Sequence, residues 1–222
     1  MSDDYYTYND EALHKTEIYS IIIGVISIFF PLSVVFILLY KYDKLVRGRS
    51  LIHYILMIAI ADTIVSMTVA MGYPKRGSYA CAAQGFLNIF FSRLSLFFTC
   101  VLIIQLYSVI IYRKYLFKIR HMHCIVWTIN IILQFIPFID DIYYGLDRER
   151  NEIQSSDTRC LIGSNNYKKS FIWSVAVIEI PLLISFLIVF TFTLMTLVKS
   201  RYMIKSYNDN SNLVSHIKDS GK

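Results

Sequence analysis

The chain has 222 residues, of which 55% are hydrophobic and 17% are charged, and its formal net charge is +6. This composition is too apolar for an ordinary soluble domain, and the apolar residues are gathered into long blocks. Most of the basic residues lie in short segments between these blocks or in the C-terminal tail, a placement that suits anionic lipid and excludes nucleic acid as the expected partner.

Five blocks are long enough to cross a bilayer, since a membrane helix needs about 20 mostly apolar residues. The predicted helices cover residues 18–40, 50–73, 80–112, 121–139 and 170–198. The predicted organisation is an extracellular N-terminus (1–17), a transmembrane helix bundle (18–200) and a cytosolic polar tail (201–222).

Orientation follows from the basic residues, which concentrate in the loops at 41–50 and 113–121 and in the tail after residue 198. The positive-inside rule assigns these segments to the cytosol and the N-terminus to the outside. The sequence therefore predicts an all-α, multi-pass membrane protein with five transmembrane helices.

The third predicted helix carries a stripe of polar residues at spacings of 4, 4, 3 and 4, namely Gln84, Asn88, Ser92, Ser95 and Thr99. At about 100° per residue they share one narrow face. Such a face either lines a ligand cavity or joins its helix to neighbours through hydrogen bonds. The polar positions cluster toward the outer half of the helix, which favours an outward-facing cavity.

The second, third and fifth predicted helices each contain a single charged residue, namely Asp62, Arg93 and Glu179. A charge inside the membrane costs about 2.5–3.5 kcal/mol, so each of these residues is expected to have a partner or water. Arg93 is turned about 140° away from the centre of the polar stripe. We predict a pair between Arg93 and Glu179, with Asp62 as the competing partner, and the pair either serves binding or only fixes packing.

These residues give two candidate sites. The predicted ligand site contains Gln84, Asn88, Ser92, Arg93 and Glu179. The predicted intramembrane polar or ion site contains Asp62, Ser66 and Ser95, because Asp62 shares a small-residue face able to hold water or an ion.

The cysteines fit the predicted topology. Cys81 lies at the outer end of the third helix and Cys160 lies in the long outer loop, so both face an oxidising compartment, and we predict a disulfide between them. Four unrelated cysteines are the alternative. Cys100 and Cys124 lie in or near the membrane and are expected to be free, buried thiols.

The sequence has no nucleophile motif and no glycine-rich phosphate loop. His121 and His123 lie at the membrane edge without acidic or cysteine companions. We therefore predict that the chain is not an enzyme and that it holds no cofactor and no metal.

Two stretches, LIHYILMIAIAD (51–62) and CAAQGFLNIFFSRLSLFFTCVLIIQLYSVI (81–110), carry a family resemblance. The residues that carry this resemblance are Cys81, Gln84-Gly85-Phe86, Phe90-Phe91, Ser95 and Leu106-Tyr107, together with Trp127, Cys160 and Pro181. Their order resembles a G protein-coupled receptor, and most closely the cyclic-AMP-receptor-like family.

The resemblance implies a plasma-membrane receptor that senses an extracellular small ligand and signals to a heterotrimeric G protein. It implies that the G protein contacts the basic loop after the third helix, at Arg113, Lys114, Lys118 and Arg120, and the tail after the fifth helix. Gln105-Leu106-Tyr107 stands where rhodopsin-like receptors carry an Asp-Arg-Tyr triplet, a departure that argues against that group.

Receptors of this kind have seven helices, so the chain is expected to be the first five, truncated after the fifth transmembrane helix. The alternatives are a truncated, non-signalling relative that acts by association with other membrane proteins, including receptor oligomers, and a small transporter or channel subunit. The sequence shows no inverted repeat that would favour a transporter.

Overall fold

The computed structural model describes the backbone of residues 3–40, 50–72, 74, 78–140, 143–144, 162–163 and 167–220. The helices are α1 (Asp3–Tyr40), α2 (Ser50–Ala70), α3 (Tyr79–Tyr112), α4 (Ile119–Phe135), a 3₁₀ helix (Ile136–Asp140), α5 (Tyr167–Ser174), a π-helical turn (Val175–Glu179) and α6 (Ile180–Ser220). Two short antiparallel strands, β1 (Tyr143–Tyr144) and β2 (Ile162–Gly163), lie between the 3₁₀ helix and α5.

Five helical segments of this chain are long and apolar enough to cross a membrane, which confirms the predicted all-α bundle. They are Ile18–Tyr40, Leu51–Ala70, Tyr79–Tyr112, Ile119–Phe138 and Phe171–Tyr202. The fifth span joins the end of α5, the π turn and the first half of α6. The chain is therefore built as a multi-pass membrane protein.

The helices extend beyond the boundaries predicted for the bundle. α1 begins at Asp3, inside the predicted N-terminal segment, and α6 runs through the predicted tail to Ser220. Neither polar extension contains a proline or a glycine. A helix that is already nucleated continues through such residues, because each added residue gains a hydrogen bond and none interrupts the backbone.

Local capping chemistry sets the ends of the central helices. The Ser78 side chain accepts a hydrogen bond from the Cys81 N–H at 3.2 Å, which caps the start of α3. α2 is followed by Gly72 in the left-handed region (φ 69°), where a side chain would be strained. Arg113 caps the C-terminal end of α3: its φ is 53°, and its N–H donates to the Val109 carbonyl.

α3 is the central helix, since it packs against α2, α4 and the fifth span, while α1 packs chiefly on α2. The main core lies between α2, α3 and α4 and consists of the buried residues Tyr54, Phe90, Leu94, Phe98, Val101 and Val126. The His123 ring of α4 stacks on the Tyr54 ring of α2 at 5.6 Å. This core fixes the positions of the polar groups on α3.

The contact between α1 and α2 depends on Gly24. A Cβ added there would lie 2.6 Å from the backbone nitrogen of Ala70 and 2.9 Å from its Cα. Small residues permit such close backbone approaches between membrane helices. The outward faces of α1 and α6 expose large apolar side chains, among them Phe30 and Val198, as expected for surfaces that contact lipid.

Candidate functional site

Arg93 is buried, with 4% of its surface exposed, and it links three parts of the bundle. Its Nη1 donates to the Val177 carbonyl in the π turn at 3.2 Å, and its Nη2 donates to Oε1 of Gln134 on α4. Short π segments often occur at functional positions in helices. The guanidinium therefore joins α3 to α4 and to the fifth span.

The predicted partner Glu179 is not among the contacts that the structure gives for Arg93, which are Val177 and Gln134, and the pair stays a prediction. Val177 faces α3 and is buried, and a residue two positions further along a helix points to roughly the opposite side. Glu179 accordingly lies on the exposed side of the π turn. Asp62, the competing partner, accepts a hydrogen bond from Ser95 instead.

Two buried amides of α4, Asn130 and Gln134, belong to the same polar cluster, and the sequence analysis missed both. Each has 0% of its surface exposed. The Gln134 Nε2 donates to the Phe86 carbonyl and the Asn130 Nδ2 donates to the Phe90 carbonyl, both at 3.1 Å. Their signal in the sequence is two amides one helical turn apart in a span without charges.

Two residues of the polar stripe, Gln84 and Ser95, join α3 to α2. The buried Gln84 Nε2 donates to the carbonyls of Thr68 and Gly72, each at 2.7 Å. Toward the other end, the Ser95 Oγ donates to Oδ1 of Asp62 at 2.6 Å. Gln84 and Ser95 therefore join helices through hydrogen bonds, as one of the two alternatives predicts.

The middle of the stripe is open at the surface. Ser92 is exposed and Asn88 is half-buried, and the Ser92 Oγ donates to the Asn88 Oδ1 at 3.4 Å. Ser66 is half-buried on α2, one turn along from Asp62. The structure thus brings Asp62 and Ser95 together, and it separates the open pair Asn88–Ser92 from the buried Arg93 cluster.

The cysteines divide into two classes. Cys100 and Cys124 are both free, as predicted, but only Cys100 is buried, and its Sγ lies 3.7 Å from the Ser185 carbonyl of α6. The predicted burial of Cys124 is wrong, because this residue lies on an exposed face of α4. Cys81 is buried in the first turn of α3. Its predicted partner, Cys160, lies outside the described residues.

The four basic residues predicted to face a G protein are all exposed: Arg113, Lys114, Lys118 and Arg120. They lie at the end of the bundle that the positive-inside rule assigns to the cytosol. Within the described residues, these four side chains form no ion pair or hydrogen bond.

Two side chains of α3 hold this basic loop in place. The buried Gln105 accepts a hydrogen bond from the Leu116 N–H at 3.2 Å and donates one to the Phe117 carbonyl at 3.1 Å. The Ser108 Oγ donates to the Lys114 carbonyl at 2.6 Å. The loop is therefore ordered through its backbone, which leaves its side chains available.

Comparison with known proteins gives one informative result. No protein-family model matches the chain, and no curated protein matches it. Among solved structures, the crystal structure of squid rhodopsin is similar, with a TM-score of 0.61 and 16% sequence identity. The match covers 90% of this chain and 60% of the rhodopsin chain. This similarity shows the fold: the helices of this chain are arranged like those in the matching part of squid rhodopsin.

Proposed function

We propose that the chain is a plasma-membrane receptor that binds an extracellular small ligand and signals to a heterotrimeric G protein. The observation that carries the proposal is the similarity of its helix bundle to squid rhodopsin over 90% of the chain. The helix-three residues Cys81, Gln84-Gly85-Phe86 and Leu106-Tyr107 support assignment to the cyclic-AMP-receptor-like family.

The ligand site in this proposal is centred on Asn88 and Ser92 of α3. These side chains are open at the surface and present an amide and a hydroxyl group. Gln84 and Arg93 act as positioning residues, because their hydrogen bonds to α2, α4 and the π turn fix the orientation of α3. Glu179 offers an exposed carboxylate on the fifth span as a further ligand contact.

The intramembrane polar site in this proposal is formed by Asp62, Ser66 and Ser95, and it holds water or a monovalent ion. It is supported by the 2.6 Å hydrogen bond from Ser95 to Asp62 and by the partial burial of all three residues. A carboxylate and hydroxyl oxygens are suitable ligands for such an ion.

A disulfide between Cys81 and Cys160 completes the outer face in this proposal. The support is that the free cysteines of the described residues are Cys100 and Cys124, and that Cys81 is not one of them. Ile162, two residues along the chain from Cys160, pairs with Tyr144 of β1, and β1 contacts α3.

The G protein contact in this proposal is the basic loop that contains Arg113, Lys114, Lys118 and Arg120. Its support is the exposure of all four side chains and the anchoring of the loop by Gln105 and Ser108. Exposed cations on an ordered segment attract an acidic partner surface and favour rapid association.

The proposal is tested in cells that express the full chain with a resonance-energy sensor of G protein dissociation. We expect cyclic AMP, added outside the cells as the first probe, to lower the transfer signal. Ser92→Phe is expected to remove this response without lowering the amount of chain at the surface. A current or a solute uptake without G protein dissociation would identify a channel or transporter subunit instead.

A second candidate function is association with other membrane proteins, and one observation favours it. Glu179 is exposed within the fifth span. A charge that faces hydrocarbon costs about 2.5–3.5 kcal/mol, and a protein partner or a second copy of the chain removes that cost. Under this function, Glu179→Leu lowers the oligomer fraction counted by single-molecule photobleaching, whereas an unchanged distribution contradicts it.

A further inference from the structure

We propose that the segment from Tyr112 to Arg120, which connects α3 to α4 and is called the basic–aromatic loop below, is a docking site for anionic phospholipid headgroups. The lipid belongs to the leaflet that surrounds this end of the bundle. This inference goes beyond the proposed receptor function, because it requires neither a ligand nor a G protein.

Charge is the first support. The loop carries two arginines and two lysines, and all four are exposed. The sequence contains no acidic residue between Asp62 and Asp140, so the loop and both flanking helices supply no carboxylate to neutralise it. Clusters of basic residues directly next to a membrane span attract anionic lipids.

The apolar residues of the loop are the second support, and they favour a membrane over a soluble acidic partner. Tyr115, Leu116 and Phe117 expose 45%, 53% and 43% of their surfaces. They lie between two membrane spans, so they are at the level of the lipid headgroups. Basic side chains interspersed with aromatic and aliphatic ones suit this boundary. The basic side chains meet the anionic headgroups, and the aromatic and aliphatic ones meet the acyl chains.

The order of the loop is the third support. Gln105 and Ser108 hold the backbone at Leu116, Phe117 and Lys114. An ordered loop loses less conformational freedom on binding than a mobile one. Lys118 is the N-cap residue of α4, where an ammonium group has no acceptor to offer the backbone N–H groups, and its exposed side chain is available to an anionic partner.

The experiment uses the full chain purified in neutral detergent micelles. Phosphatidylserine with a fluorescent acyl chain is titrated into the micelles, and its binding is followed by anisotropy, with the matching phosphatidylcholine as the reference. The test variant is Lys114→Gln with Lys118→Gln. The matched control is Lys199→Gln with Arg201→Gln, which removes the same charge from exposed positions near the end of the fifth span.

We expect the wild type to prefer phosphatidylserine over phosphatidylcholine. The loop variant should weaken this binding about 25-fold, since each basic residue near an anionic surface contributes about fivefold. The control pair should weaken it by less than about threefold. Equal losses in the two variants would overturn the proposal, as would an absent preference for phosphatidylserine.

Two further arms separate the lipid from other partners. Leu116→Ser with Phe117→Ser keeps every charge, and it is expected to weaken phosphatidylserine binding while leaving the thermal unfolding midpoint within a few degrees of the wild type. Inositol trisphosphate is added as a free phosphate competitor. If this soluble compound displaced the lipid fully at a concentration equal to that of phosphatidylserine, the acyl chains would contribute nothing to binding, and the docking proposal would be overturned.

Discussion

Arg93 on α3 donates a hydrogen bond to the side-chain oxygen of Gln134 on α4, within a bundle where both residues are buried. Gln134 in turn donates to the Phe86 carbonyl of α3. One amide therefore accepts from a guanidinium and donates back to the backbone of the same helix. This arrangement joins α3 and α4 at two points about two turns apart along α3.

Replacement of Gln134 by Leu tests this connection. The change removes an acceptor for Arg93 and a donor for the Phe86 carbonyl inside the membrane. We expect the free energy of unfolding to fall by about 1.5–3 kcal/mol, the range for a hydrogen bond that involves a charged group. The measurement is thermal or denaturant unfolding of the detergent-purified chain.

Thr128→Leu provides the control for this substitution, because Thr128 lies on the same helix and is exposed. It replaces a polar side chain by leucine without touching Arg93. We expect its stability to equal that of the wild type. If both variants lost stability to the same extent, the effect would come from α4 in general and not from the contact with Arg93.

Gly24→Val tests the close approach of α1 and α2. A Cβ at this position would meet the backbone of Ala70 at 2.6 Å, so the two helices must separate. Overpacking of this kind costs about 1–3 kcal/mol. Val25→Ile adds a methylene group at the neighbouring, exposed position and should leave the unfolding midpoint unchanged. An unaltered midpoint in Gly24→Val would show that α1 does not depend on this contact.

The hydrogen bond from Ser95 to Asp62 predicts an energetic coupling between α3 and α2. In a double-mutant cycle with Ser95→Ala and Asp62→Ala, which removes the accepting oxygen, we expect a coupling energy of about 1 kcal/mol in unfolding stability. Thr99→Ala is the comparison, because the Thr99 hydroxyl bonds to the Ser95 carbonyl of its own helix. Coupling to Asp62 that is as large for Thr99 as for Ser95 would contradict the assignment.

The anchoring of the basic–aromatic loop depends on Gln105. In Gln105→Leu, the Leu116 N–H loses its acceptor, and we expect its hydrogen exchange to become at least about tenfold faster. Gln105→Glu keeps an acceptor for this N–H and loses only the donor to the Phe117 carbonyl. Slow exchange should therefore persist at Leu116 in the Glu variant. Fast exchange in the wild type would refute the anchoring.

Much of the fold can be predicted from the lengths of the uncharged apolar segments in the sequence. The runs without charge are longer than a bilayer requires, so the five spans and the all-α class are readable directly, and the structure confirms them. The ends of the helices are harder to predict from the sequence. α1 and α6 extend into polar residues because no proline or glycine stops them, and hydrophobicity carries no information about such extensions.

The candidate site shows a similar division. The 100° rotation per residue correctly separates Arg93 from the polar stripe, since Arg93 bonds to α4 and the fifth span while Gln84 and Ser95 bond to α2. Periodicity on one helix does not say which helix lies opposite. The partner of Arg93 was therefore sought by charge, at Glu179, whereas packing supplies the neutral amide of Gln134.

The most direct test of the receptor proposal is nucleotide exchange on a purified heterotrimeric G protein by the full chain in nanodiscs of neutral lipid. We predict faster exchange than with empty nanodiscs. Lys114→Gln with Lys118→Gln should reduce this acceleration about tenfold or more, and Lys199→Gln with Arg201→Gln should retain it, because only the first pair lies in the loop proposed to contact the G protein. Exchange equal to that of empty nanodiscs across a panel of G proteins would contradict the proposal.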